Sequence, residues 1–165
     1  MVVTSNTSPI TNLAAVGQLN VLRDLYGQIV IPQAVFDDLV LRGWGRNPGA
    51  YEVQSEPWIS LLQVTTTHLV TQLLRETPKL DQGEAEAIIL ASELHSDLLL
   101  IDEKIGRTVA RRLGVPTVGL LGVLLEAKTQ SVIPLVRPVL DALRAGPKFR
   151  VSDELYREIL RRANE

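Results

Sequence analysis

Leu98-Leu99-Leu100-Ile101-Asp102-Glu103-Lys104 is the stretch that decides the fold. Four apolar residues without polar alternation suit a strand covered on both faces, the situation of a parallel sheet between layers of helices. The abrupt change to charge then puts Asp102 at the carboxyl edge of that sheet, where open α/β folds bind their ligands. A similar succession occurs twice upstream. Ile29-Val30-Ile31-Pro32 is followed within a few residues by Asp37 and Asp38, and Met1-Val2-Val3-Thr4 is followed by Asn6. Acids after two strands and an amide after a third can therefore meet at one edge.

Outward from these runs, short strands alternate with longer amphipathic segments, as in a sheet with crossover helices. Strands are predicted over Met1 to Thr4, Gln28 to Ile31, Ile59 to Val64 at an edge, Leu98 to Ile101 and Val115 to Val118. Thr11 to Leu25 carries Leu13, Val16, Leu19 and Leu22 at helical spacing, with a break at Gly17. A helix opens at Pro32 and stops near Gly43, where Gly43-Trp44-Gly45-Arg46-Asn47-Pro48-Gly49 reads as an exposed loop. Asp81 opens the most regular helix, which runs to about His95. Lys104 to Leu113 forms a basic amphipathic helix ended by Gly114. Three helices, around Leu120 to Ala127, Ile133 to Leu143 and Asp153 to Ala163, complete the chain. The expected organisation is a single domain over residues 1–165, with sheet and crossover helices in 1–128 and C-terminal helices in 129–165.

The 165 residues are enough to bury a core without staples, and 45% apolar with 22% charged residues is ordinary for a globular protein. No apolar run approaches the roughly 20 residues of a membrane span, and no basic, then apolar leader opens the chain. A soluble, cytoplasmic protein is expected. Without cysteine there are no disulfides and no thiolate ligands, so any metal needs oxygen donors, which points to Mg²⁺ or Mn²⁺. A formal charge of −2 excludes a globally basic nucleic-acid binder but leaves room for the local cluster of Lys104, Arg107, Arg111 and Arg112.

Two divalent ions about 3.5–4 Å apart can activate water and stabilise the leaving oxygen of a phosphodiester, given three or four carboxylates. The candidates are Asp38, Glu84, Glu86, Asp102 and Glu103, with Asn6 as a neutral partner. Each has a structural alternative. Glu84 stands three residues after Asp81, the spacing of a capping box, yet it falls in the apolar arc between Ile88 and Ala91 and suits a site equally. Glu86 lies at the border of that arc beside Leu90 and is preferred for the site, whereas Glu93 reads as solvated. Asp38, three residues after Val35 and next to Leu39, is favoured over Asp37. Asp102 could cap the helix at Lys104, but its strand-end position favours the site, and Glu103 has the weaker claim. Thr7 or Ser8 can cap the first helix and aim at an ion or phosphate. Lys104, Arg107 and Arg111 share a helix face that suits a phosphate backbone or plain solvation. His68 and His95 have no partner nearby in sequence.

Four motifs in order carry a family resemblance: Val3-Thr4-Ser5-Asn6-Thr7-Ser8-Pro9-Ile10, Ile31-Pro32-Gln33-Ala34-Val35-Phe36-Asp37-Asp38-Leu39, Gly83-Glu84-Ala85-Glu86-Ala87-Ile88 and Leu100-Ile101-Asp102-Glu103-Lys104. Through them, and on to Val118-Gly119-Leu120-Leu121-Gly122-Val123-Leu124, the chain resembles the PIN-domain family and, within it, proteins related to the VapC toxins of toxin–antitoxin pairs. The resemblance implies a three-layer α/β/α fold with a central, mainly parallel sheet and a helical C-terminal tail. It also implies an acidic pocket for Mg²⁺ or Mn²⁺ and metal-dependent cleavage of RNA. The family's first acid falls on Asn6, the second on Asp38, the third on Glu86 or Glu84, and the fourth on Asp102 with Glu103 close by. Catalysis is thereby assigned to Asp38, Glu86, Asp102 and Asn6, and substrate binding to Ser8, Lys104 and Arg107. Asn6 is the departure, because an amide offers a carbonyl oxygen but no charge. A catalytically weak or inactive module that binds RNA or a partner protein is the alternative it raises. The implied partners are a small antitoxin protein and a second copy of the chain in a homodimer.

Overall fold

The strands are short, two or three residues each, and those at the centre of the sheet are covered by helices on both faces. The structure, a computed structural model, describes residues 1–147 and 149–165. Strands β1 (Val3–Ser5), β2 (Ile29–Ile31), β3 (Ile59–Leu61), β4 (Leu98–Leu100) and β5 (Thr117–Val118) form one sheet in the order β3-β2-β1-β4-β5. Every pairing is parallel, with Ser5 opposite Leu100 and Ile31 opposite Leu61. The expected parallel sheet is present, and β3 takes the edge position assigned to it. It ends at Leu61 instead of Val64, because Leu61 and Leu62 already lie in solvent.

Helices α1 (Thr7–Ala15) and α2 (Asn20–Tyr26) are separated at Gly17, whose φ of +70° breaks the helix as its position suggested. Helix α3 (Gln33–Phe36) passes into a π-helical turn over Asp37–Leu41, a widening that no sequence period announces. Two helices were not foreseen, α4 (Ala50–Ser55) and α5 (Thr67–Glu76). The signal for α5 was present in Leu69, Val70, Leu73 and Leu74, spaced for one helix face. Helices α6 (Gln82–Glu93), α7 (Lys104–Arg112), α8 (Leu120–Thr129), α9 (Arg137–Ala145) and α10 (Asp153–Arg162) match the predicted segments within a few residues.

Period-two alternation along β4 divides the core. Leu99 and Ile101 pack with Val70 and Leu73 of α5, Ile88 of α6 and Val109 of α7 on one face. Leu100 points the other way, into a larger cluster with Leu13 of α1, Leu22 of α2, Leu124 of α8, Leu140 of α9 and Leu160 of α10. The sheet is thus the middle of three layers, and the C-terminal helices thicken one of them without adding a strand. Among the described residues no helix is long and apolar enough to cross a membrane.

One charge expected only to be solvated also has a structural role. Glu93 accepts hydrogen bonds from the backbone N–H groups and hydroxyls of both Thr65 and Thr66, which fixes the loop leading into α5. The helix that would have revealed this role is the one the sequence pattern left unread.

Candidate active site at the carboxyl edge of the sheet

Strands β1 and β4 lie side by side at the centre of the sheet, and the remaining strands extend away from them in opposite directions. Such a switch in strand order opens a crevice beyond the carboxyl ends. Asn6 leaves β1 there, its N–H donating to the Leu100 carbonyl at 3.0 Å, and it is only 4% exposed. Asp102 leaves the end of β4 beside it. Its Oδ1 accepts the Leu120 N–H at 2.6 Å, so it caps α8 and not the adjacent α7. Arg107 donates to the Asp102 carbonyl oxygen from one turn into α7. Gly119 permits this crowding, since a Cβ there would stand 3.0 Å from Arg107 Nη1 and 3.2 Å from Asp102 Oδ1. The second carboxylate oxygen of Asp102 is buried and has no hydrogen-bond partner.

Next to Asn6 lies a pocket of about 400 Å³, lined by Asn6, Ser8, Asp38, Asp81, Glu84 and Glu103 together with one cation, Lys79. Asp38 reaches it from the π-helical turn, held by the Thr7 hydroxyl at 3.3 Å and by Arg42 Nη1 at 3.1 Å. Gly83 clears the floor. A Cβ at Gly83 would lie 2.9 Å from Asp38 Oδ2, 3.4 Å from Asp81 Oδ1 and 3.5 Å from Asn6 Oδ1, so oxygens from three segments converge where that side chain is missing.

The two glutamates of α6 part company. Glu84 does form the capping box, with its N–H donating to Asp81 Oδ1 at 2.7 Å and its Oε2 accepting the Asp81 N–H at 2.9 Å. It lines the pocket all the same, because the first turn of α6 is itself a pocket wall. Glu86, preferred on the helical wheel, turns elsewhere. Its Oε2 accepts the Ala34 N–H at 2.8 Å and its Oε1 accepts from Gln82 at 2.9 Å, so it ties α6 to the start of α3. The preference is reversed by tertiary packing, since the backbone N–H that claims Glu86, that of Ala34, belongs to a helix distant in sequence.

Electrostatics links the acids that remain. Burial pushes the Asp38 carboxyl above the ordinary range, with Arg42 and the Thr7 hydroxyl pulling it down and Asp81 and Asp37 adding to the rise. Burial likewise raises Glu84, opposed by the Asp81 N–H and reinforced by the charges of Asp81 and Glu103. For Asp102 burial again dominates, the Leu120 N–H and Arg107 oppose it, and Glu103 adds to it. Charge on these three carboxylates is costly in the folded protein, and a cation would relieve it.

Donor chemistry fits a hard divalent cation, because every candidate ligand is an oxygen and one of them, Asp102 Oδ2, is buried without a partner. Closure is incomplete: among the described residues no three acidic or histidine side chains are grouped tightly enough to hold an ion. Of the residues expected to bind substrate, Ser8 and Arg107 line a larger groove of about 1330 Å³ that adjoins the pocket and shares Ser8 and Glu103 with it. Arg111, Arg150 and Arg162 line the same groove. Lys104 is exposed at the start of α7 and lines neither space. Asp81, expected only to cap, and Arg42, not singled out at all, are the additions that the structure makes.

A parallel sheet with an acidic pocket at its strand switch is an architecture that many open α/β proteins use, and the sequence identifies which family this one belongs to. A family model, DUF3368, described as a PIN domain, matches residues 2–165, so the chain belongs to the PIN-domain family, in general a nuclease fold. No curated protein matches the sequence. Among solved structures it is similar to a PilT N-terminus domain protein of the hyperthermophilic archaeon Sulfolobus solfataricus P2, with a TM-score of 0.53 and 16% identity over 92% of this chain and 98% of that one. At that identity the likeness concerns the fold.

Proposed function

We propose that this protein is a metal-dependent endoribonuclease of PIN type, acting in the cytoplasm as the toxin of a toxin–antitoxin pair. The observation that carries the proposal is the pairing of an acidic pocket with an arginine-lined groove across Ser8 and Glu103. Asp38 and Glu84 of the pocket and Asp102, which lines the adjoining groove, would have to draw closer together to hold Mg²⁺ or Mn²⁺, with Glu103 adding charge and Asn6 a neutral oxygen. When bound, the ion supplies an activated water and offsets charge on a phosphodiester. Arg107, Arg111, Arg150 and Arg162 supply the positive field that a phosphate backbone needs, in a chain whose net charge is −2. Ser8 stands where pocket and groove meet and is suited to orient the scissile phosphate. A small antitoxin and a second copy of the chain are the proposed protein partners.

Asn6 and the open ligand set favour a second reading, a catalytically weak module that binds RNA or a partner protein. Cleavage of generic RNA by purified protein with Mn²⁺, compared with the Asp102→Asn variant, separates the two. Cutting that the variant abolishes supports the enzyme. Cutting that persists removes the metal assignment, and an inert parent with every divalent ion tried favours the binding module.

A further inference from the structure

The loop between the π-helical turn and α4 is built, not slack. Asn47 lays its side chain against Gly43, where a Cβ would stand 2.3 Å from it, and its amide donates to the Asp38 carbonyl at 2.8 Å. At the far end Gly49, with φ +90°, closes on Ile10, whose Cγ2 would be 2.8 Å from a Cβ there. Between these anchors Gly45 N–H donates to the Val40 carbonyl at 2.8 Å, and Trp44 N–H to the Leu41 carbonyl at 3.2 Å. The frame holds Trp44 at φ +51° with 90% of its surface in water. Bulky residues rarely take that backbone conformation, and where the surroundings enforce it a ligand contact is a common reason.

The neighbourhood says what kind of ligand. Arg42 and Arg46 flank Trp44 on the loop and are exposed; Arg42 also reaches Asp38 in the acidic pocket, while Asn47 and Pro48 line the arginine groove. The loop that carries the indole is therefore tethered to both halves of the site. Cations on either side of an exposed aromatic suit a polyanion whose units carry flat rings, which is the chemistry of an unpaired nucleic-acid strand. We propose that Trp44 is a stacking platform for an unpaired base of single-stranded RNA, with Arg42 and Arg46 on the adjoining phosphates. The proposal rests on the ribonuclease reading above and adds a substrate contact outside the acidic pocket, one that a base inside a duplex, with no free face, cannot make.

Tryptophan emission tests it directly on the whole protein in EDTA, where no cleavage is needed. The chain has two tryptophans, and Trp58 is only 6% exposed, so quenching by ligand reports Trp44. A single-stranded RNA of about twelve nucleotides should quench the emission, and a duplex of the same sequence or an abasic strand should not. Trp44→Ala should weaken single-strand binding roughly tenfold, and Trp44→Phe by no more than about threefold. If Trp44→Ala binds the strand as the parent does while Arg111→Ala binds it less well, the platform is overturned and the ribonuclease reading stands. A parent that binds no RNA overturns both. If Trp44→Ala instead turns a dimer into a monomer with RNA affinity unchanged, the loop is a contact between copies and the platform is overturned.

Discussion

Asp102 serves both a cap and a proposed metal site, and two substitutions separate these roles. Asp102→Asn keeps an oxygen for the Leu120 N–H, now bonded at 2.6 Å, and exchanges the buried unpartnered Oδ2 for a neutral amide nitrogen. The charge-assisted hydrogen bond weakens by about 1 kcal/mol and the new amide N–H group meets no acceptor, about 1 kcal/mol more, whereas the cost of burying a carboxylate with one unpartnered oxygen disappears, an offset of about 2 kcal/mol. Asp102→Ala gains the same relief but loses the cap, about 1 kcal/mol, and strands the Leu120 N–H in a buried position, about 1 kcal/mol more. We therefore expect the asparagine variant to lie within about 1 kcal/mol of the parent in EDTA, and the alanine variant to be about 2 kcal/mol less stable than the asparagine variant. For a chain of this size that difference is roughly 4–8 °C in Tm. Urea unfolding gives the free energies, and thermal unfolding checks their order. Adding Mn²⁺ at about a hundred times its dissociation constant should then stabilise the parent alone, by about 2.7 kcal/mol. An asparagine variant less stable than the parent by more than about 1 kcal/mol, or one that still responds to Mn²⁺, refutes the reasoning: the carboxylate would be a structural anchor and not a ligand.

The glutamates of α6 should give opposite phenotypes. Glu84→Gln retains the geometry of the capping box, so it should lose Mn²⁺-dependent cleavage with a stability change below about 1 kcal/mol, whereas Glu86→Ala should cost about 1–2 kcal/mol in urea unfolding and leave the metal response intact. Asn6→Asp places another carboxylate beside Asp38 and Asp81 at a position only 4% exposed; calorimetry with Mn²⁺ should show tighter binding, and EDTA-treated protein should unfold at a lower temperature. Glu93 supplies a pH dependence: burial would raise its carboxyl, but hydrogen bonds from Thr66 and Thr65 overcome this and hold it below the usual carboxylate range. A depressed pKa contributes stability that is present above the ordinary glutamate value of about 4.3 and is lost as pH falls through the folded value, so the acid limb of parent stability should be steeper than that of Glu93→Gln.

Much of the fold was legible because its strands are short apolar runs with charged ends, and its most regular helix opens on Asp81 and Glu84 at capping-box spacing. The placement of Asp102 at a strand end was legible for the same reason. What the pattern could not show was direction. Glu84 and Glu86 stand two residues apart on one helix, and their partners, the pocket and the Ala34 N–H, arrive from other segments. The role of Asp102 as a cap was anticipated on the wrong helix, since α8 reaches it only through the pairing of β4 with β5.

By itself the sequence determined a parallel sheet with acids at its carboxyl edge, oxygen-only ligands, and an amide where the family resemblance puts the first acid. These follow from local hydrophobicity and residue chemistry, which need no neighbours to be read. Only the tertiary structure decided which acids face one another, that Arg42 pairs with Asp38, that Gly83 and Gly119 make room for converging oxygens, and that Trp44 stands out beside the site. The physical reason is that a side chain's partner is set by what packs against it, and in a sheet ordered β3-β2-β1-β4-β5 the elements that meet at the central crevice come from opposite ends of the chain's path.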